Sequence, residues 1–208
     1  MNETYALTFS VDYPDRSLDR LTTFFRIFTV IPIAIVAATV SGATYSYDTA
    51  TATTTIAAAG GLLFAAPLLM ILFRKKYPRW WFDWNRELLR FQARVGAYLA
   101  LLNDQYPSTD EQQYVHLEVD YPNVETDLAR GMPLVKWLLA IPHYIVLFFL
   151  YIAAFVCLVI AWFAILFTGR YPRSLFDFVV GVGRWHLRVA AYMFILVTDK
   201  YPPFSLQP

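Results

Sequence analysis

Cysteine and histidine are scarce in this chain: 208 residues contain one cysteine, Cys157, and three histidines. One cysteine closes no intrachain disulfide, and no Cys or His cluster has metal-ligand spacing. Cys157 lies in an apolar run and reads as a small packed side chain. A glycine-rich phosphate loop is missing, and no serine stands in a nucleophile-elbow setting. Charge is sparse as well: 16% of residues are Asp, Glu, Lys or Arg, and the net charge is +1. That balance argues against a nucleic-acid binder, which presents a basic stripe. No acid stands within an apolar run, where a proton or ion path would need one. These absences set no catalytic residue, metal or cofactor on the chain, and an enzyme or coupled transporter is not expected.

What the chain has instead is apolar surface. It is 58% hydrophobic and 18% aromatic, with a mean hydropathy of +0.43. A soluble domain of this size could not cover so much apolar area, so lipid is the expected solvent. The first twenty residues are polar and carry acids beside arginines. No cleavable signal peptide is expected, and the first apolar helix would serve as its own insertion signal.

In chain order, Tyr5 to Asp12 alternates with the period of a half-buried strand and stops at Tyr13-Pro14. An apolar span over about 21–40 follows, flanked by Arg20 and Arg26 and kinked at Pro32. Ser41 to Thr55 reads as a polar outer connection without lysine or arginine, and about 56–73 as the returning span. After Tyr77-Pro78, residues 80–102 form an amphipathic helix. It carries Asp83, Glu87, Arg90 and Arg94 on one stripe and Trp84, Leu88, Phe91, Val95 and Leu102 on a broad apolar side. Its internal charges place it flat at the interface. A polar linker, 103–113, leads to a second strand at 115–120. The apolar run 134–167 is about 51 Å of helix at about 1.5 Å per residue, long for one span and short for two. Starting it near residue 128 favours a tight hairpin over about 128–168, bending near Leu150 to Ala154. A second amphipathic helix, 175–197, closes the series.

The order repeats, dividing the chain at 1–110 and 111–208. Lys76-Tyr-Pro-Arg-Trp-Trp-Phe-Asp-Trp recurs as Arg170-Tyr-Pro-Arg-Ser-Leu-Phe-Asp-Phe, Arg20 and Arg26 as Arg130 and Lys136, and Ile31-Pro32 as Ile141-Pro142. The fold predicted is mainly α and integral to the membrane. It has two parallel repeats, each of one β-strand, a transmembrane helical hairpin and one interfacial amphipathic helix. The two strands would form a small cytoplasmic two-stranded sheet. The distribution of lysine and arginine puts both termini and both amphipathic helices on the cytoplasmic side of a multi-pass protein. Tyr-Pro pairs end the elements and suit the membrane–water boundary.

The candidate contact residues are Arg90, Arg94, Arg184, Arg188, Asp83 and Asp177. Like charges four apart on a helix repel mildly unless something lies between them. Three readings stand: a solvated cytoplasmic face, binding of anionic lipid phosphate, or cross-pairing of Asp83 with Arg184 or Arg188 and of Asp177 with Arg90 or Arg94. His143, beside Pro142, reads as a packed histidine, and His116 and His186 show no partner.

Residues 161–182, beginning Ala161-Trp-Phe-Ala-Ile-Leu-Phe-Thr-Gly-Arg-Tyr-Pro, and the runs Arg188 to Tyr192 and Asp199 to Phe204 resemble a bacterial membrane family. It is the one known as domain of unknown function 4389. The first half resembles it as a diverged copy, with Lys75 and Lys76 where the second has Gly169 and Arg170. The resemblance implies a bacterial inner-membrane protein and transfers no activity. The leading expectation is a non-enzymatic accessory or scaffold subunit whose partners are other membrane subunits or its own copies. A lipid-organising protein bound to anionic membrane lipids is the alternative, and a small channel or transporter comes third.

Overall fold

The period-two alternation of the two predicted strands brings distant parts of the chain together. In the computed structural model, which describes residues 5–41, 44–49, 52–57 and 65–208, β1 (Leu7–Val11) pairs antiparallel with β4 (Val115–Val119), with Phe9 opposite Leu117. Leu7, Phe9, Val11, Val115, Leu117 and Val119 are buried on one face, and Thr8, Ser10 and Glu118 are exposed on the other. One apolar and one polar face are what alternation requires. The predicted two-stranded sheet is present; the first strand starts two residues later and ends one earlier than the sequence suggested, and the second ends one earlier.

After β1 come three short helices, α1 (Arg20–Phe24), α2 (Arg26–Thr29) and α3 (Ile31–Ser41). Asp19 caps α1, its carboxylate accepting from the Leu21 and Thr22 amides. The expected single kinked span is thus broken twice, at Phe25 and at Val30, ahead of Pro32. Proline lacks the N–H that would satisfy the carbonyl four residues back and crowds the preceding turn. The expected polar connection contains a β-hairpin, β2 (Thr44–Thr49) with β3 (Ala52–Ala57). That corrects the returning span also: Ile56 and Ala57 belong to β3, and helix is found from α4 (Ala65–Leu69), which runs into a π-helical turn, Met70–Arg74. Residues 58–64 of that span lie outside the described residues. Threonine-rich alternation over 51–56 favours a strand more than a helix.

The amphipathic helices are α5 (Arg79–Leu99) and, in the second half, α9 (Arg173–Ala190), followed by a π-helical turn, Ala191–Ile195. Each follows a Tyr-Pro whose proline sits at the N-cap in extended geometry. Before α9 come α6 (Val124–Asp127), α7 (Met132–Leu139) and α8 (Ile141–Thr168). The predicted hairpin over 128–168 is not formed: α8 runs straight through 150–154 as one 28-residue helix. No glycine or proline lies between Pro142 and Gly169, so nothing in that run favours a reversal. Pro142 starts the helix, where a missing N–H does no harm, and Gly169 ends it at φ 74. The hairpin was one ground for placing both termini on one side, and a single helix there removes that ground.

Packing is crosswise. β1 lies on α9 and β4 on α5, while α1 packs along α8 and α3 along α5. The amphipathic helices are therefore covered by protein on the sheet side, α9 most completely. On α5 the buried side carries Phe82, Leu89, Phe91, Arg94 and Tyr98, whereas Trp84, assigned to the apolar side from periodicity, is exposed. Among the described residues one helix, α8, is long and apolar enough to cross a membrane by length and composition. Its inward stripe is His143, Leu147, Ala154, Ala161 and Ile165; most of its other large side chains, Phe148, Phe155 and Phe163 among them, are exposed.

Candidate functional site

Of the six charged residues singled out by their spacing, the four arginines belong to the seam between the sheet, the two amphipathic helices and the segments that follow them. Flanking the β1–β4 ladder, the Asp12 amide donates to the Tyr114 carbonyl and the Asp120 amide to the Ala6 carbonyl, which sets the even-numbered positions as its hydrogen-bonded pairs. Phe9 and Leu117 form the central pair whose carbonyls point outward. Both are taken by arginine: Arg184 Nε donates to the Phe9 carbonyl at 2.8 Å and Arg90 Nε to the Leu117 carbonyl at 2.9 Å. A two-stranded sheet leaves two open edges, and each here has its middle acceptor filled by a guanidinium.

The partner arginines, one turn on, hold the chain that follows each helix. Arg94 donates to the Ser108 and Thr109 carbonyls at 2.8 and 2.9 Å. Arg188 donates to the Gln207 carbonyl at 2.9 Å, and Arg184 Nη1 to the Leu206 carbonyl at 2.7 Å. Arg94, Arg184 and Arg188 are buried. For all three, burial is the largest influence and lowers the guanidinium pKa from its usual value. A solvated face does not describe them. Cross-pairing of the acids does not form either: Asp83 lies 3.4 Å from Arg86, and Asp177 lies 3.1 Å from Arg173. Both are local helix pairs. The structure brings each arginine pair to backbone carbonyls and leaves Asp83 and Asp177 outside that cluster.

Other contacts recur in matched form. Tyr13 donates to the Tyr171 carbonyl and Tyr121 to the Tyr77 carbonyl, both at 2.5 Å. Tyr13 meets Phe176 edge-on at 5.0 Å, as Tyr121 meets Phe82 at 5.1 Å. Arg173 stacks over Tyr13 and Arg79 over Tyr121. Each Tyr-Pro tyrosine after a strand thus docks on the Tyr-Pro turn of the opposite half. Burial also pushes up the Tyr77 and Tyr171 hydroxyl pKa.

Two buried cations flank the long helices. Lys136 is fully buried, 2.7 Å from the Asp199 carboxylate and 2.7 Å from the Thr198 carbonyl, with the Tyr192 ring at 4.9 Å. Arg26 occupies the matching place, donating to the Tyr98 and Asn103 carbonyls with its guanidinium 3.8 Å from the Tyr98 ring centre. Sequence reading matched Arg26 with Lys136 but gave neither a partner. The only hint was the recurrence of Asp104 and Asp199 ahead of Tyr-Pro. His143 is packed as expected, accepting from Trp185 Nε1 at 3.0 Å and stacked on Phe204. His116, without a partner in sequence, lies 2.8 Å from Asp12, and His186 meets the Tyr151 hydroxyl at 2.7 Å.

Two grooves open beside this seam. One, of about 560 Å³, runs between the outer edge of β1 and residues 203–208 and is lined by Tyr5, Thr8, Ser10, Arg184 and Arg188. The other, of about 480 Å³, includes Ser10, Arg173, Asp177 and Arg184. No group of three or more His, Cys, Asp or Glu side chains suited to a metal ion exists among the described residues.

Residues 132–205 match a family described as Domain of unknown function (DUF4389). The match runs from the start of α7 to the segment after α9 and bears out the resemblance for that part of the chain. No curated protein and no solved structure matches the chain.

Proposed function

We propose that this chain is a duplicated, non-enzymatic scaffold of the bacterial inner membrane, an accessory subunit that works by contact. The observation that carries the reading is the unequal use of α8. One narrow stripe of it is buried, and a wide aromatic surface around Phe148, Phe155 and Phe163 is exposed. Exposed apolar area of that breadth marks a lipid or partner surface. The arginine stripe, which could have supported a chemical role, is engaged with the backbone of its own chain.

The duplication is part of the same proposal. Arg90 and Arg184, Tyr77 and Tyr171, and Phe82 and Phe176 each stand 94 positions apart and make like contacts. An antiparallel pair of strands is itself two-fold symmetric about its central residues, here Phe9 and Leu117. Two copies of one unit, each lending its strand to the other's amphipathic helix, account for the crosswise packing.

The test is a photo-reactive residue placed at Phe155, and separately at Thr8 on the sheet's outer face, followed by irradiation in native membranes. A defined protein adduct at Phe155 supports the scaffold. Adducts with lipid alone, at both positions, overturn it in favour of the second reading, a lipid-organising protein. That second reading is favoured by one observation: Arg184 and Arg188 line an open groove.

A further inference from the structure

Arg90 and Arg184 hold matching strand edges, but their charges are balanced differently. Arg90 has the Glu87 carboxylate at 2.9 Å and the Glu118 carboxylate at 2.6 Å. Three residues before Arg184 the chain has Gly181 instead of an acid. On the strand, the position after the central residue is Glu118 in β4 and Ser10 in β1. Among the described residues neither Arg184 nor Arg188 forms an ion pair. Their acceptors are the neutral carbonyls of Phe9, Leu206 and Gln207. The charged groups that act on Arg184 are Arg188, which repels it, and Asp177, which is held by Arg173.

Where the first half has carboxylates, the second has space. The two grooves share Ser10, Arg184 and Pro208. Arg188 Nε is buried and has no hydrogen-bond partner. Thr8 and Ser10 are exposed along the first groove, and their hydroxyls are unbonded among the described residues. Two adjacent buried cations whose acceptors are all neutral favour an anion beside them, because a buried charge is costly unless an opposite charge pairs with it.

We propose that the groove between β1 and residues 203–208 binds a phosphate group through Arg184 and Arg188, with Ser10 and Thr8 donating to its oxygens. The first half carries the matching negative charge covalently, as Glu118 and Glu87; the second takes it from a ligand. Two guanidinium groups and two hydroxyls suit the several oxygens of phosphate better than a single carboxylate. The group arrives on a lipid headgroup or as a free ion. This proposal deepens the lipid reading and depends on it only for the first of those sources.

The experiment uses the full chain in an uncharged detergent, titrated calorimetrically with inorganic phosphate and, separately, with phosphatidic acid in mixed micelles. Phosphatidylcholine micelles serve as the control. Binding of phosphatidic acid alone supports the site and the lipid source. Binding of inorganic phosphate supports the site, and if phosphatidic acid then fails to bind, the lipid reading falls while the site stands. The decisive variant is Ser10→Glu, at an exposed strand position, which installs the carboxylate that Glu118 provides in the other half. It is expected to fold and to weaken phosphate binding by about tenfold or more. Failure of both ligands to bind, or binding unchanged by Ser10→Glu, overturns the proposal.

Discussion

Between Pro142 and Gly169 the second half runs one uninterrupted helix, whereas between Pro32 and Lys75 the first half has α3, a β-hairpin and α4. Both halves then turn through a left-handed residue into an amphipathic helix: Gly169 at φ 74 in one, Lys75 at φ 48 in the other. The difference teaches that the seam between sheet and helices tolerates a broken apolar segment. Arg90 reaches β4 as Arg184 reaches β1, whatever precedes α5. What the seam does specify is backbone: carbonyls of a strand and of the segment after the helix, each met by a guanidinium.

The largest expected effect separates the buried cations. Asp199→Ala leaves Lys136 charged and fully buried without its carboxylate, a loss of about 3–5 kcal/mol. The matching Asp104→Ala removes an ion pair with the mostly exposed Arg16 and a hydrogen bond from the Asp19 amide, a loss of about 1–2 kcal/mol. Chemical unfolding followed by tryptophan fluorescence compares the two, and equal losses would mean that the halves do not differ in this respect.

Edge arginines come next. Arg184→Ala leaves the buried Phe9 carbonyl and the part-buried Leu206 carbonyl without their donor and is expected to cost about 2–3 kcal/mol. Arg90→Ala costs about 1–2 kcal/mol, because its ion pairs are partly solvated and water can reach the Leu117 carbonyl. Amide exchange along β1 and β4 reads the same comparison locally, with β1 losing protection more than β4.

A smaller effect concerns the tail. A Cβ at Gly181 would lie 2.9 Å from the Leu206 Cβ, so Gly181→Ala must displace residues 203–208, at about 1–2 kcal/mol. The displaced tail is expected to be cleaved sooner in limited proteolysis. The smallest effect is in the left-handed turns. Lys75→Gly relieves a strained backbone and is expected to stabilise by about 1 kcal/mol, while Gly169→Lys destabilises by about 1–2 kcal/mol. Thermal melts that move in the same direction would break the equivalence of those two turns.

How much of this was legible follows from the range of each interaction. The strands were readable because alternation at Leu7, Phe9 and Val11 is local, and their pairing followed once two such stretches were seen. The amphipathic helices were readable within a few residues from the charge line Asp83, Glu87, Arg90 and Arg94. The hairpin predicted within 128–168 came from weighing length against bilayer thickness. The chain from Pro142 to Gly169 holds no residue that would turn it, and that local fact decides its shape. Trp84 was assigned to the apolar side by periodicity. The rotation of a helix about its axis depends on what packs against it, and β4 and α3 selected the side bearing Phe82, Leu89, Phe91 and Tyr98.

The candidate site divides the same way. Spacing alone picked out Arg90, Arg94, Arg184 and Arg188, because arginines four apart with little acid beside them stand out in so apolar a chain. Their partners are main-chain carbonyls of Phe9, Leu117, Ser108 and Gln207, and every residue has a carbonyl, so composition carries no trace of which one is used. The sequence by itself determined the two paired strands, the two amphipathic helices, their order and the paired arginines, all of which rest on patterns a few residues long. Only the tertiary structure decided that the strands exchange places between halves and that Arg90 meets carboxylates where Arg184 meets open space. Both depend on contacts across many residues: Glu118 and Ser10 follow the central residues Leu117 and Phe9, and the packing of α5 on β4 and of α9 on β1 brings them toward the guanidiniums.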